Sequence, residues 1–171
     1  MTVQRASGTP ICSGMNIELI VVGKTDSAEV EALVAMYAKR INRYCKFAVT
    51  TIADVRNTRN MAASRQKQLE GEMILKNIVD GDFLVLMDER GSQYTSLEYA
   101  QWLQKRMLSG VKRLVLVIGG PYGFSDDVYS RADGKISLSK MTFSHQIVRA
   151  IFAEQLYRAF TILHNEPYHH E

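Results

Sequence analysis

The sequence predicts an α/β domain built on a mostly parallel sheet flanked by helices. Three observations carry that expectation. Apolar runs such as "NIELIVVGK" and "RLVLVIGG" are continuous rather than alternating, as in strands buried on both faces. Between such runs lie segments with apolar residues at helical spacing, so strands and helices alternate along the chain. No internal repeat, low-complexity tract or interdomain linker breaks the pattern, and 171 residues suit one domain.

The elements follow in chain order. Residues 16–24 read as the first strand, closing on a glycine. Asp26 or Ser27 caps the next element, in which Val30, Leu33, Val34, Tyr37 and Ile41 recur at helical spacing. "FAVTTIADV" is β-branched and reads as a second strand, "RNTRN" as a basic loop, and residues 62–79 as a polar helix. "DFLVLMD" is a third strand closed by "ERG". A helix over residues 94–109 points Leu97, Trp102, Leu103 and Met107 toward the core. "RLVLVIGG" is the fourth strand. A short helix at 126–131 and a short strand, "KISLS", then lead to a last long helix over about 144–163. Residues 1–14 are rich in Gly, Ser, Pro and Thr without periodicity. They read as a disordered extension, with Met15 the natural start of a single domain over 15–171.

Composition bounds the function classes. Hydrophobic residues make up 46% and charged residues 23%, the balance of an ordinary soluble globular protein. No apolar run approaches the roughly 18 residues of a membrane span, and the first residues lack the apolar core of a secretory signal. Two cysteines, Cys12 and Cys45, suggest free thiols in a reducing cytosol, hence a cytoplasmic protein with no membrane partner. Net charge is +3, but from Lys39 to Lys76 nine Lys/Arg face only Asp54, Glu70 and Glu72. Such a run is either a solvated face or an electrostatic footprint for nucleic acid.

Three stretches can carry chemistry. "VIGGPYGFS" follows the fourth strand, where ligands bind in open α/β sheets. Gly119, Gly120 and Gly123 would let backbone approach a ligand there, or simply make a tight turn. The stretch lacks the Lys-Ser/Thr pair of a P-loop, and "VVGKTDS" after the first strand has a single Gly. A dinucleotide fold and an ordinary Rossmann methyltransferase are therefore disfavoured. In "LSKMTFSHQIVRAIFAEQLYRAF", a loop of small and apolar residues feeds a helix whose stripe is Val148, Ile151, Phe152, Leu156, Ala159 and Phe160. Glu154 and Arg158, four apart, suit a surface ion pair, and Arg149 suits the surface as well. The chain ends "HNEPYHHE", which holds three of its four histidines. No Cys or acidic partner stands at zinc-motif spacing, so no metal is expected. Termini fray by default, yet Pro167 stiffens the approach to Tyr168 and His169, which can exchange protons or stack on a base.

Together, "VIGGPYGFS", "LSKMTFSHQIVRAIFAEQLYRAF" and "EPYHHE" closely resemble the ribosomal large-subunit methyltransferase H family. These are small RNA methyltransferases of the SPOUT superfamily that use S-adenosylmethionine. The resemblance spans essentially residues 15–171, with "NIELIVVGK" and "LMDERG" also in place. It implies a SPOUT-type trefoil-knotted fold, a homodimer, and methylation of N3 of a pseudouridine in helix 69 of 23S rRNA on the assembled ribosome. By motif, the S-adenosylmethionine pocket falls on Met87, Gly119, Gly120, Ser139, Lys140, Met141, Thr142, Phe143 and Ser144, with Met141 and Phe143 suited to the adenine. The resemblance further implies catalytic roles for His169 as base or proton relay and Tyr168 holding the uracil ring. Glu154 and Arg158 would orient the tail or contact RNA, and Arg149 and His170 would meet phosphate. One departure stands out: the family's tail follows Pro-Tyr-His with Arg or Lys, whereas here His170 replaces that permanent cation. A SPOUT methyltransferase for another RNA nucleotide, and a ribosome-binding factor without catalysis, are the alternatives.

Overall fold

The computed structural model describes Cys12 and residues 14–170. Strands and helices alternate: β1 (Asn16–Val22), α1 (Ala28–Ile41), β2 (Phe47–Ile52), a 3-10 turn at Thr58–Asn60, α2 (Ala63–Leu75), β3 (Phe83–Ser92), α3 (Ser96–Leu108), β4 (Arg113–Ile118), α4 (Asp126–Arg131), β5 (Gly134–Ile136) and α5 (Ile147–Leu163). The sheet order is β2-β1-β4-β3-β5, and every neighbouring pair is parallel.

The continuous apolar runs are explained by burial of both sheet faces. Ile17, Leu19 and Val21 of β1 join Leu114 and Leu116 of β4 under Leu103, Phe152 and Leu156, so α1, α3 and α5 cover this face. The alternate residues Ile20, Val22, Val115 and Val117 meet Ile74 and Val128, so α2 and α4 cover the other. Helix starts follow the expected chemistry. The Ser27 hydroxyl accepts from Val30 N at 3.3 Å, and Thr95 forms a reciprocal capping box with Glu98. Among the described residues no helix is long and apolar enough to cross a membrane.

Several expectations shift. The polar helix stops at Leu75, because Asn77 turns back to Met73 O, the Asp82 carboxylate accepts from Val79 N, and Gly81 takes φ +89°. β3 does not close at "ERG" but runs to Ser92, where after a register shift it pairs again with Ile136. Gly91 permits this: a Cβ there would lie 2.6 Å from the Ile136 backbone. Leu97 sits in the first turn of α3 and is 37% exposed, while Tyr99 and Ala100 take the buried side. The two cysteines are not free thiols. Cys12 and Cys45 form a disulfide with Cα atoms 5.3 Å apart, both 4% exposed in the core beneath the start of β1. An unpacked extension through residue 14 therefore fails at Cys12; residues 1–11 and 13 lie outside the described set.

Candidate active site

All five strands run the same way, so the loops after them gather at one edge, where ligands bind in such sheets. A cleft opens there around Met87 of β3. One part, about 130 Å³, is lined by Met87, Ile118, Ile136, Leu138, Phe143 and Val148, with Ser139, Met141 and Thr142 beside them. A wider recess of about 460 Å³ shares Met87, Ile118 and Val148 and continues along the backbone of Gly119, Gly120 and Gly123 to His145. The apolar walls and backbone edges suit a flat heteroaromatic ring with a polar rim. Seven of the nine predicted pocket residues line this cleft; Lys140 and Ser144 do not. The Ser144 hydroxyl instead accepts from Ile147 N at 3.2 Å, holding the start of α5.

The glycine loop owes its residues to packing as much as to backbone freedom. Of its three glycines only Gly123 has positive φ, +79°. A Cβ on Gly119 would lie 2.9 Å from the Phe124 ring, and one on Gly120 2.5 Å from Glu70 Oε2. Glu70 of α2 is 3% exposed, and its Oε2 has no hydrogen-bond partner among the described residues. Burial pushes its carboxyl above the ordinary range; the bond from Gln66 opposes this, and the Asp54 charge adds to it. A carboxyl of this kind is invisible in the sequence of a polar helix.

Asp88 is a second residue that sequence reasoning misses, although it closes the apolar run of β3 at the ligand edge. Burial opposes its ionisation, but bonds from Tyr129 OH and Arg90 N, with the charges of Arg90 and Lys135, hold its carboxyl below the usual range. Arg90 completes the group by donating to Tyr129 OH at 3.0 Å.

Arg149 is not on the surface. It is 1% exposed, and its guanidinium donates to Val22 O, Gly23 O, Thr25 Oγ1 and His145 O at 2.8–2.9 Å. The expectation of a phosphate contact is therefore corrected: its donors are spent tying α5 to the end of β1. Gln146 adds to the tie, accepting from Asp26 N and donating to Lys24 O.

The tail is built, not frayed. Tyr44 OH donates to both Glu166 carboxylate oxygens at 2.6 and 2.7 Å. Tyr168 OH donates to Glu154 Oε1 at 3.0 Å, and its ring packs edge-on against Tyr157 and faces the Arg158 guanidinium. Burial, with hydrogen bonds to Tyr37 and Glu154, pushes the Tyr168 phenol well above the tyrosine range, so it remains a donor. Glu154 Oε1 also accepts from Arg158 Nε and Nη2 at 3.1 and 2.6 Å, the expected i,i+4 pair. Arg158 Nη1 lies 3.2 Å from His169 Nδ1. Arginine has no acceptor, so Nδ1 accepts and a neutral His169 ring carries its hydrogen on Nε2. His170 is exposed, and Glu171 lies outside the described residues. Tail and cleft share α5 but not a position on it. Val148 lines the cleft and Arg158 holds His169, ten residues or about 15 Å further along the helix.

A family model described as a predicted SPOUT methyltransferase matches residues 15–169. The ribosomal RNA large subunit methyltransferase H of Christiangramia forsetii is 57% identical over 156 residues, covering 91% of this chain and 99% of that protein. Its namesake in Flavobacterium psychrophilum is 56% identical over 157 residues, covering 92% of this chain and all of the relative. A solved structure, a probable methylase family protein from Haemophilus influenzae, superposes with a TM-score of 0.51. It covers 92% of this chain and 71% of that one at 13% identity, a likeness of fold alone.

Proposed function

The chain belongs to the SPOUT methyltransferase family and, within it, to the ribosomal RNA large subunit methyltransferase H group. On that premise we propose that it methylates N3 of a pseudouridine in helix 69 of 23S rRNA, on the assembled ribosome, with S-adenosylmethionine as donor. The observation that carries the reading is the pairing, on one helix, of an apolar ring-sized cleft with a hydrogen-bonded Tyr168-His169 tail.

The cleft residues fit the donor. Met87, Leu138, Phe143 and Val148 offer apolar faces to an adenine, and the backbone at Gly119 and 139–143 offers its edge donors and acceptors. When bound, the cofactor supplies an electrophilic methyl on sulfur. The chain must then position a nitrogen in line with it and ease the loss of one proton. The imide nitrogen of the base lies between two carbonyls, and a donor to either stabilises the anion that forms there. His169 is arranged for that task. With Nδ1 held by Arg158, its Nε2–H is free to donate to a base carbonyl. Acting as a base through Nδ1 would require Arg158 to release it. Tyr168 holds the tail to Glu154 and presents an aromatic face beside the base.

The separation of about 15 Å along α5 supports a homodimer in which the tail of one chain serves the cleft of its partner. The trefoil-knotted path belongs to the same proposal; β3, whose end carries Met87, lies between β4 and β5 in the sheet.

The test is methyl transfer from labelled cofactor to ribosomes lacking the modification, followed by mapping of the product. Methylation at N3 in helix 69 is expected; a product on another nucleotide, or none with cofactor bound, overturns the assignment. His169→Ala should keep cofactor binding and lose roughly 10²–10⁴-fold in single-turnover rate. His169→Gln retains an N–H donor but no base, so it should recover much of that rate. An equal deficit in both variants would favour the base.

A further inference from the structure

We propose that Arg56 and Arg59, in the loop after β2, form the surface that receives RNA phosphates beside the cleft, with Arg65 extending it onto α2. The proposal rests on the methyltransferase reading and supplies the RNA contact that Arg149, buried, cannot make. Four Lys/Arg and no carboxylate lie between Asp54 and Glu70. Arg56, Arg59 and Arg65 are exposed.

What sets Arg56 and Arg59 apart from most other arginines is that, among the described residues, neither has a partner in the chain. Arg113, Arg131 and Arg158 are held by carboxylates. Arg40 and Arg106 lie over aromatic rings, and Arg90 joins Asp88 and Tyr129. Among the described residues, Arg56 and Arg59 have no ion pair, ring contact or side-chain hydrogen bond, and Arg65 reaches only Gln68 at 3.2 Å. Arg43 also has no ion pair among the described residues, but it follows α1 at the opposite edge of the sheet.

Placement points the loop toward the chemistry. β2 is parallel to β1 and β1 to β4, so residues 53–62 leave the sheet at the glycine-loop edge, two strand spacings or about 10 Å away. Packing fixes that relation at both ends of the stretch: the Asp54 carboxylate lies against Gly23, and Glu70 lies against Gly120. Between them Asn57 takes φ +59°, ψ +41°, a left-handed turn that asparagine tolerates, ahead of the 3-10 turn. Exposed guanidinium groups match phosphate oxygens in pairs, and such contacts orient a nucleic acid without reading its sequence.

The experiment compares the wild-type chain with Arg56→Ala/Arg59→Ala and with the charge-keeping Arg56→Lys/Arg59→Lys. Ribosome binding is titrated against salt, and cofactor binding and single-turnover methylation are followed in parallel. Removing one arginine from a phosphate should reduce the slope of log K against log salt by about 0.7–0.9. The alanine pair should therefore flatten it by roughly 1.4–1.8 and raise the ribosome concentration needed about tenfold or more near 0.1 M salt. Cofactor affinity and the rate at saturating ribosome should stay unchanged, and the lysine pair should restore most of the slope. An unchanged slope and affinity overturns the surface. Weaker binding with an unchanged slope means that the loop meets a ribosomal protein, and loss of cofactor binding means a structural role; each also overturns it. If even the wild type transfers no methyl group, the enzyme reading falls, while the binding slopes still decide the surface.

Discussion

A methyl group added at Gly120 probes the packing behind the proposed cofactor loop. Its Cβ would lie 2.5 and 2.7 Å from the two Glu70 carboxylate oxygens, well inside nonbonded contact. Glu70 has little room to yield, being 3% exposed with Oε1 bonded to Gln66 at 3.1 Å. Overpacking of this kind costs about 1–3 kcal/mol, so Gly120→Ala should lower stability by that amount. Glu70→Ala removes the obstruction, and in the double variant the new methyl should cost little. The cycle should thus show a coupling of about 1 kcal/mol or more in favour of the double variant. Urea unfolding of all four proteins measures the coupling, and calorimetric titration with S-adenosylmethionine follows the loop. Gly120→Ala should weaken cofactor binding because the loop must move, and Glu70→Ala should restore part of it. Additivity within about 0.5 kcal/mol would refute the contact. Unchanged cofactor affinity in Gly120→Ala would refute the link from packing to ligand.

Glu70 also predicts a pH dependence. Burial raises its carboxyl above the ordinary value, so the folded state holds that proton more tightly than the unfolded chain does. Wild-type stability should therefore fall as pH rises from the unfolded glutamate value of about 4.3 through the raised one. Glu70→Gln should gain on wild type over the same window in urea midpoints, and parallel profiles would refute the shift. Arg149→Met strands the carbonyls of Val22, Gly23 and His145. At about 1–3 kcal/mol for each buried group it should cost about 3 kcal/mol or more. Arg149→Lys should recover only part of this, and full recovery would argue against the guanidinium fork. Reducing the Cys12–Cys45 bond, which spans 33 residues, should remove about 3–4 kcal/mol. A chain begun at Met15 should show the same loss in thermal melts, and a midpoint indifferent to reductant would refute it.

The sheet was legible because a strand buried on both faces must be apolar at nearly every position, and only the central strands of an α/β fold require that. A helix start was legible where a single side chain decides it, as at Ser27. The glycine loop and the loop before α5 announced themselves by residue types that are costly elsewhere. What stayed hidden depends on partners far along the chain. Arg149 looks like any helix-surface arginine until the carbonyls of β1, more than 120 residues earlier, enclose it. Two cysteines 33 apart carry no local sign of pairing. Glu70, in a helix of Gln and Lys, gives no hint that its one buried face meets a glycine 50 positions later.

The tail shows how much the remaining step depends on geometry. Three histidines and a tyrosine at a chain end suggest proton chemistry, and residue type alone makes His169 a base or proton relay. The Arg158 contact is the reason we propose a donor role instead, because a guanidinium can only donate and so leaves the imidazole its outer N–H. Tyr168 is fixed the same way: its raised phenol donates to Glu154, which already holds Arg158, so one carboxylate locks both members of the pair. The lock sits at Glu154 and Arg158, six and ten residues along α5 from Val148, while the cleft sits at its first turn. In the proposed dimer, the cleft this tail serves belongs to another copy of the chain. A tail that is inactive in its own protomer but active in its partner's gives mixed dimers a clear signature. Mixing Gly120→Leu chains with His169→Ala chains should rebuild one site from two inactive parents, since an intact cleft then meets an intact tail. Wild-type chains paired with chains carrying both substitutions should have no working site in the heterodimer, because each site then holds one damaged half. The opposite pattern, with heterodimers present, would place tail and cleft in the same chain.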